Sequence, residues 1–512
     1  MQQRMRHGWY GARRPALALP PGLLLADAPR RRITIPNALR SDVAAMATAA
    51  RAAGNGNSPA AQAAVSQAEA LLLERSTLGP TVADHDHIDQ IGYEGWLEEQ
   101  LDFASLDDSA LEDSLHGGLP TLSMSAQQLW RQYSDNPFVP IFELWVATFY
   151  RALYSPRQLF ERMSIFWSDH FSIDVFGDFM QVLKPVDDRS VVRANALGSF
   201  PQMLAASAHS PAMLSYLTND TNEKNHPNEN YARELLELHT MGADRGYTEK
   251  DVKEVARCLT GWNWRNPYSQ TNGEIGTFAF FAYMHDNGTK RVLGKSIPAG
   301  GGIADGERVV DILAKRKETS EYIATKMLRW LHGYEPSKKL VKSVAKTYRR
   351  TNGDIRAMVR KALREKTIGT ATPKLKRPFH LVISALRALA ADVDDAAPML
   401  DHLGDAGHLP FSWTPPNGYP DRSEWWSSLL VPRWNFAQSA VFDDAVSLDP
   451  ALDDPSGSPA SIVKRIDRVL MHGRMGAETR KTLETMLAKR RSRERVREAL
   501  ATAISAPEFQ EY

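Results

Sequence analysis

Apolar residues recur at spacings of three and four along most of the chain, and this pattern constrains the fold more than any other feature. Such spacing places side chains on one face of an α-helix. Strand signals are few, and the best lies around 277–294, where extended stretches flank Asp286-Asn287-Gly288, a sequence typical of a hairpin turn. The sequence therefore predicts a mainly α protein, a large multi-helix body with one small β-hairpin around 277–294.

The composition excludes several classes of protein. The 512 residues carry 62 Lys plus Arg against 61 Asp plus Glu, so a net charge of +1 argues against a nucleic-acid partner. The single cysteine, Cys258, excludes an intramolecular disulfide and a cysteine-based zinc cluster. No apolar run approaches the roughly 18–20 residues that span a bilayer. We therefore expect a soluble protein without a membrane span.

The chain divides into three parts by composition. Residues 1–40 hold eight arginines and one acid, Asp27. An apolar stretch after Arg13-Arg14 resembles an export segment, whereas Pro20-Pro21-Gly22 within it favours a basic tail, so the compartment is either cytoplasmic or extracytoplasmic. We expect a main helical domain over 41–390 that carries the polar motifs. A C-terminal helical part over 391–512 follows, with an Asp-, Pro- and Ser-rich linker near 441–459.

The most informative polar stretch is 228–242, which we predict to be a helix that ends before Gly242. Glu229, Arg233 and Glu237 fall at i, i+4 and i+8, so their charges share one face. A second helix begins at Thr248, with a capping-box-like start, and carries Glu254 and Arg257. The two charged faces either meet in one buried network or form two solvated salt-bridge ladders, and the spacing alone favours the ladders.

Two further patches combine histidine with an acid. One is Asp169-His170 within a run of aromatic residues, and the other is His285-Asp286, which precedes Lys290 at the predicted turn. Histidine and carboxylate side chains from separate elements are typical of Zn, Mn or Fe sites and of acid–base pairs. No local metal-binding pattern such as HExxH occurs, so a divalent metal would need ligands brought together by the fold. For each histidine taken alone, a structural role is the more common one.

These residues carry a resemblance to a known family. The matching segments are Arg-x-Thr-x-Gly-Pro-Thr at 75–81, Phe-Trp-x-x-His-Phe at 166–171, Asn-Glu-Asn-x-Ala-Arg-Glu-Leu-x-Glu-Leu-His-Thr-x-Gly at 228–242, Ala-Arg-x-Leu-Thr-Gly-Trp at 256–262, His-Asp-x-Gly-x-Lys at 285–290, Lys-x-Pro-Phe at 376–379 and the looser Pro-Pro-Asn-Gly-Tyr-Pro at 415–420. Over about residues 70–440 the chain resembles the uncharacterised bacterial family catalogued as domain of unknown function 1800. The resemblance implies a mainly helical, often exported protein and implies no activity.

Two functions compete. The first is a hydrolase or lyase acting on an extracellular or envelope polymer such as a polysaccharide. Its candidate catalytic residues are Asp169, His170, Arg233, Glu234, His239, His285 and Asp286, and its candidate metal ligands are His170, Glu234, His239 and His285. The second is a non-catalytic assembly or partner-binding protein with a structural ion-pair network. Aromatic residues near 411–436, together with Arg433, would then form its docking surface for a protein partner.

Overall fold

A computed structural model describes residues 66–268 and 273–512. The basic tail or export segment predicted for 1–40 and the helical pattern over 40–65 lie outside the described residues. The described part of the chain is mainly α-helical, as the apolar spacing predicts. None of its helices combines the length and the apolar character needed to cross a membrane.

The helices of the first half are α1 (Gln67–Ser76), α2 (Val82–Leu101), α3 (Ser109–Gly118), α4 (Ala126–Tyr133), α5 (Phe138–Tyr154), α6 (Gln158–His170), α7 (Met180–Asp187), α8 (Phe200–Ala208), α9 (Pro211–Tyr216), α10 (Asn230–Glu237) and α11 (Glu249–Leu259). Several begin at residues that the sequence marks as caps. At α11 the Thr248 hydroxyl accepts a hydrogen bond from the Asp251 backbone, and the Asp251 carboxylate accepts one from the Thr248 backbone, which confirms the predicted capping box.

The second half contains α12 (Ala304–Ala314), α13 (Lys317–Leu331), α14 (Lys338–Arg350), α15 (Ile355–Ala362), α16 (Glu365–Ile368), α17 (Pro378–Ala388), α18 (Ala397–Asp405), α19 (Ser423–Trp426), α20 (Leu430–Phe442), α21 (Pro459–Ile466), α22 (Ala477–Lys489), α23 (Arg493–Ser505) and α24 (Pro507–Gln510). The apolar pattern over 476–504 predicts one helix, and the structure has two. The break occurs because Arg490 is extended and the Ser492 hydroxyl caps α23 by accepting from the Arg495 backbone.

The strands form three two-stranded antiparallel sheets within the described residues. They pair β1 (Trp262–Trp264) with β2 (Phe278–Phe280), β3 (Lys290–Val292) with β4 (Lys295–Ile297), and β5 (Asp392–Val393) with β6 (Val446–Ser447).

The region around 277–294 is thus β-structure, but the predicted turn is wrong. The hairpin of β3 and β4 turns at Leu293-Gly294, where both residues have positive φ, as a type I′ turn requires. Asp286 instead accepts a hydrogen bond from the Gly288 backbone at 2.8 Å and closes a local turn of its own.

Two hydrophobic cores hold these elements together. One is built from residues between Leu72 and Ile368 and contains the inner faces of α6, α8, α10, α11 and α13. The other combines α5 with α17, α18 and the helices from α20 to α23. The domain boundary predicted near 390 stays a prediction. The segment from 374 to 377 runs antiparallel to 510–512, with backbone hydrogen bonds of 2.8–2.9 Å, and this pairing positions the side chains that precede α17.

Candidate functional site

The structure divides the candidate residues into three groups. Arg233 and Glu234 lie on α10, His285 and Asp286 lie between β2 and β3, and Asp169 and His170 end α6, where His239 packs against His170. Among the described residues, no three His, Cys, Asp or Glu side chains are arranged to hold a metal ion. The tentative ligand set of His170, Glu234, His239 and His285 is therefore not brought together as a metal centre in this structure.

The charged face of α10 is a solvated ladder. The Arg233 guanidinium donates to both carboxylate oxygens of Glu249, at 2.8 and 2.7 Å. It also lies 3.4 Å from Glu229 and 3.7 Å from Glu237. The side chains of Arg233 and Glu249 are 34% and 68% exposed, so the pair is well hydrated. Arg233 is thus already bound bidentately to Glu249.

Glu234 lies beside this ladder and faces partly inward. Burial raises the pKa of its carboxyl group. The second ladder is separate, because Arg257 pairs with Glu254 at 2.8 Å and with Asp286 at 2.7 Å. The arrangement is thus two ladders, the alternative that the spacing favours. The hydrogen bond from Arg257 is the main reason that the pKa of Asp286 is lowered, with burial opposing it.

His285 belongs to a buried ion-pair network with Lys290 and Asp305, which we call the His285 network. The His285 Nδ1 atom lies 2.7 Å from the Thr260 carbonyl oxygen and is placed to donate to it. Lys290 Nζ lies 2.6 Å from Asp305 Oδ2 and 3.4 Å from His285 Nε2, and it donates to the Asp286 carbonyl. The three donor hydrogens of the ammonium thus each have an acceptor.

His170 and His239 are part of the core. The His170 Nε2 atom donates to the His239 carbonyl at 3.1 Å, which leaves Nδ1 unprotonated and without a partner. Neither ring nitrogen of His239 has a partner within the described residues. Burial lowers the pKa of His239 to about 3 and lowers that of His170 well below its ordinary value. Both imidazoles are neutral, closed off from solvent and packed among aromatic rings.

A more open group of charges surrounds Asp169. We define the Asp169 cluster as Asp169, Lys326, Lys374, Arg377 and Asp421. Arg377 Nη1 donates to Asp169 Oδ2 at 2.7 Å, and Lys374 Nζ lies 2.8 Å from both carboxylate oxygens of Asp421. Both carboxylates remain partly exposed. The cluster thus presents two ion pairs at a solvent-facing surface.

Lys326 is the unpaired member of the Asp169 cluster. Its ammonium, on α13, forms no hydrogen bond or ion pair with the described residues and lies 5.7 Å from the centre of the Tyr322 ring. Burial lowers the pKa of Lys326 to about 8, although Asp169 and Asp421 oppose the effect. The charge of Lys326 also contributes to the lowered pKa values of His170 and His239, which places it within electrostatic reach of both.

The loop from 415 to 420 packs directly on the end of α6. Gly418 has a φ of 74°, and a Cβ atom added there would lie 2.0 Å from the Asp169 carbonyl oxygen, so a larger residue would displace the loop. Tyr419 donates from its hydroxyl to the Leu409 carbonyl at 2.6 Å. Asp169, His408 and Tyr419 line a narrow cavity of about 40 Å³, which has room for water but not for a polymer.

Three of the sequence motifs therefore meet at Asp169: the aromatic run at 166–171, the segment that begins at Lys376 and the loop at 415–420. The sequence patterns did not point to four members of the Asp169 cluster: Lys326, Lys374, Arg377 and Asp421. Arg377 lies inside the Lys-x-Pro-Phe motif at 376–379, so the sequence offered a signal for it. For Lys326 the signal was weaker, a lysine four residues from Tyr322 and four from Trp330 on one helical face.

The geometry and the charges define a mainly α protein with a partly exposed acid–base cluster at the end of one helix. The chain matches the model of a protein family over residues 71–511, and the family's description is "Protein of unknown function (DUF1800)". Because the match covers most of the chain, the protein belongs to the DUF1800 family. No curated protein and no solved structure matches it.

Proposed function

We propose that this protein is an enzyme, a hydrolase or lyase of an extracellular or envelope polymer, with its acid–base site at the Asp169 cluster. The observation that carries the proposal is Lys326, a half-buried ammonium without an ion pair or hydrogen bond in the described structure. A partly buried charge with no ion pair or hydrogen bond among the described residues gains no stability from pairing, so a structural ion-pair role does not account for it. A lysine with a lowered pKa beside a carboxyl group with a raised pKa is typical of acid–base sites.

The charges favour an anionic polymer. Three cations of the Asp169 cluster, Lys326, Lys374 and Arg377, lie with two carboxylates, Asp169 and Asp421. Arg329 adds a further cation nearby, and Glu335 lies 3.8 Å from it. Positively lined surfaces raise the local concentration of anions and hold them in place. We therefore place an acidic polysaccharide ahead of a neutral one as the substrate.

Lys326 can serve either reaction. With a pKa of about 8, a useful fraction of the amine is neutral near neutral pH and can remove a proton adjacent to a sugar carboxylate, which is the step that a lyase needs. In its ammonium form it can donate a proton to the oxygen of a leaving sugar, which is the step that a hydrolase needs. Asp169, whose pKa is raised by burial, would accept or return the second proton.

The experiment compares wild-type protein with Lys326→Gln on a panel of acidic and neutral polysaccharides. Lys326 is the residue to change because no partner is left unpaired when its charge is removed. Lys338→Gln, at an exposed lysine on α14, is the matched control. New reducing ends indicate a hydrolase, and new carbon–carbon double bonds at the chain ends indicate a lyase. We expect Lys326→Gln to lower either rate about 10²–10⁴-fold.

Two results would remove this proposal. One is cleavage that proceeds at the wild-type rate in Lys326→Gln. The other is a polymer that the protein binds but does not cleave, with the same affinity in wild type and Lys326→Gln. Such a polymer would bind at a site other than the Asp169 cluster.

A surface on α19 and α20 supports the second candidate, a partner-binding protein. Trp425, Leu430, Val431 and Trp434 are between 51% and 61% exposed, within the region 411–436 proposed for docking. Arg433 is not part of this surface, since it is buried and donates to Gln510 and to the Lys376 carbonyl. Aliphatic and indole side chains together favour a protein partner over a sugar.

A photo-crosslinker at position 434 should capture a partner protein in cells, whereas one at the exposed position 338 should not. If Trp425→Ser leaves capture by the crosslinker at position 434 unchanged, this surface is not the docking site.

A further inference from the structure

A second unpaired lysine lies in a different cavity. This cavity, of about 220 Å³, is bounded by the start of α17, the end of α1 and the C-terminal segment, and Lys376, His380, Glu74, Phe509 and Tyr512 are among its lining residues. Its volume is below that of pockets for drug-sized ligands and suits a molecule of a few heavy atoms. None of the residues in the proposed acid–base reaction lines it.

Lys376 is enclosed but has no polar partner. Its side chain is 7% exposed, its ammonium lies 3.7 Å from the centre of the Phe509 ring, and it forms no hydrogen bond or ion pair with the described residues. The nearest acid, Glu74, is paired with Arg474. Burial lowers the pKa of Lys376 to about 7, so much of the amine is neutral and nucleophilic at neutral pH.

His380, in the first turn of α17, lies four residues after Lys376 and lines the same cavity. Its ring packs edge-on against Tyr512, with the centres 4.3 Å apart, and its nitrogens have no hydrogen-bond partner in the described part of the chain. Burial and the surrounding cations lower its pKa well below the ordinary value, so the imidazole is neutral. A neutral imidazole both accepts and donates a proton, which makes it suited to carry one between two atoms in the cavity.

Buried arginines lie around the Lys376 and His380 end of the cavity, where Glu74 opposes them, whereas Glu508 and Glu511 line the cavity elsewhere. Arg162, Arg377 and Arg75 all act on His380, and Arg474 and Arg433 act on Lys376. Arg162 itself is fully buried against Trp330 and Tyr512 and does not line the cavity. These cations favour a ligand whose negative group lies at the Lys376 end.

From these contacts we infer that the cavity binds a small anionic aldehyde or ketone and that Lys376 forms an imine with it. The amine nitrogen attacks the carbonyl carbon, a C–N bond forms, and the C=O electron pair moves to oxygen. His380 takes a proton from the new nitrogen and returns one to that oxygen. His380 then carries the second nitrogen proton to the hydroxyl, the C–O bond breaks, and water leaves as the C=N bond forms. One amine and one carbonyl thus give one imine and one water, with no oxidant or reductant.

Reductive trapping tests this inference on the full chain. Wild-type protein is incubated with pyruvate and cyanoborohydride, digested, and mapped by mass spectrometry. We expect Lys376 to be modified several-fold more than Lys338, although Lys376 is buried and Lys338 is exposed. Acetone, a neutral ketone of similar shape, should react less at Lys376 than pyruvate does.

Variants separate the roles. Lys376→Arg keeps a cation and should lose the adduct, while Lys338→Arg should retain the adduct at Lys376. His380→Asn should slow trapping without moving its position. Labelling of wild-type lysines in the order of their exposure would overturn the imine, and equal trapping of acetone and pyruvate at Lys376 would overturn the anionic ligand. The mapping of wild-type protein decides the question even if Lys376→Arg does not fold.

Discussion

The His285 network and the Asp169 cluster contain the same kinds of residue and differ in how fully their polar groups are paired. In the His285 network, Lys290 has an acceptor for each donor hydrogen, and Asp305 is buried against it at 2.6 Å. In the Asp169 cluster, Lys326 has no polar partner among the described residues and is partly exposed. A lysine whose donor hydrogens all have acceptors indicates a structural role. A lysine without acceptors beside a carboxylate indicates a site for a ligand.

The largest expected effect tests the structural half of this comparison. Lys290→Met leaves the carboxylate of Asp305 buried without its main partner, so the free energy of unfolding should fall by about 3–5 kcal/mol. Denaturant unfolding followed by circular dichroism measures the change. Lys295→Met, at an exposed lysine on β4, is the control and should change stability by less than about 0.5 kcal/mol. A loss below about 1 kcal/mol for Lys290→Met would show that the network is not what holds this region together.

The second prediction concerns folding at the Asp169 cluster. Lys326→Met should lower the rate of the proposed polymer cleavage about 10²–10⁴-fold. It should leave the free energy of unfolding unchanged or higher, since a partly buried ammonium is removed and no ion pair with the described residues is broken. Cleavage rate and denaturant unfolding, measured on the same preparation, show whether activity is lost without a loss of stability. If instead this variant destabilises the protein as much as Lys290→Met does, the two regions do not differ in the way proposed here.

The third prediction concerns acid. The pKa of His239 is about 3 in the folded protein, against an ordinary value of 6.5 that applies to the unfolded chain. Between pH 6.5 and pH 3, the unfolded chain therefore binds a proton at His239 that the folded protein does not bind. Stability is therefore complete above pH 6.5 and falls as the pH drops toward 3, by at most about 1.4 kcal/mol per pH unit from this group.

His239→Met removes this titration while filling similar space. Its stability should fall less steeply than that of wild type below pH 6.5, and unfolding curves over a pH series measure the difference. His170, His380 and His408 are shifted in the same direction, so both proteins lose stability in acid and only the difference reports on His239. His226→Met, at an exposed histidine, provides the control. Identical slopes for wild type and His239→Met would contradict the buried, neutral state of this ring.

The smallest effect belongs to the ladder on α10. Arg233→Gln should cost no more than about 1 kcal/mol, because its pairs are hydrated and an exposed ion pair contributes little. Thermal or denaturant unfolding suffices to measure it. A cost near that of Lys290→Met would mean that the ladder is a buried network after all.

Local signals in the sequence predicted much of the fold. The apolar spacing indicated the helical class, and Thr248 with Asp251 marked the start of α11, because these features act within a few residues. The hairpin turn was misplaced, since Asp286-Asn287-Gly288 and Leu293-Gly294 are both competent turns. Long-range pairing of β2 with β1 decided between them.

The site was less predictable because its members come from distant parts of the chain. Asp169 and His170 were chosen from their motif, but only the fold shows that the ring is buried and the carboxylate faces Arg377. Likewise, a sequence does not reveal which lysine lacks a partner. Lys326 and Lys376 stand out only when the acceptors around every other buried amine have been accounted for.

The most direct test of the account is the protonation of Lys326 in the native full chain. Competitive labelling with acetic anhydride over a series of pH values, with peptide mass mapping, reports the fraction of neutral amine at each lysine, and the exposed Lys338 corrects for reagent reactivity. We predict that labelling of Lys326 is half-maximal near pH 8. A midpoint near the ordinary lysine value of about 10.4 would contradict the claim that the Asp169 cluster holds an amine ready for acid–base chemistry.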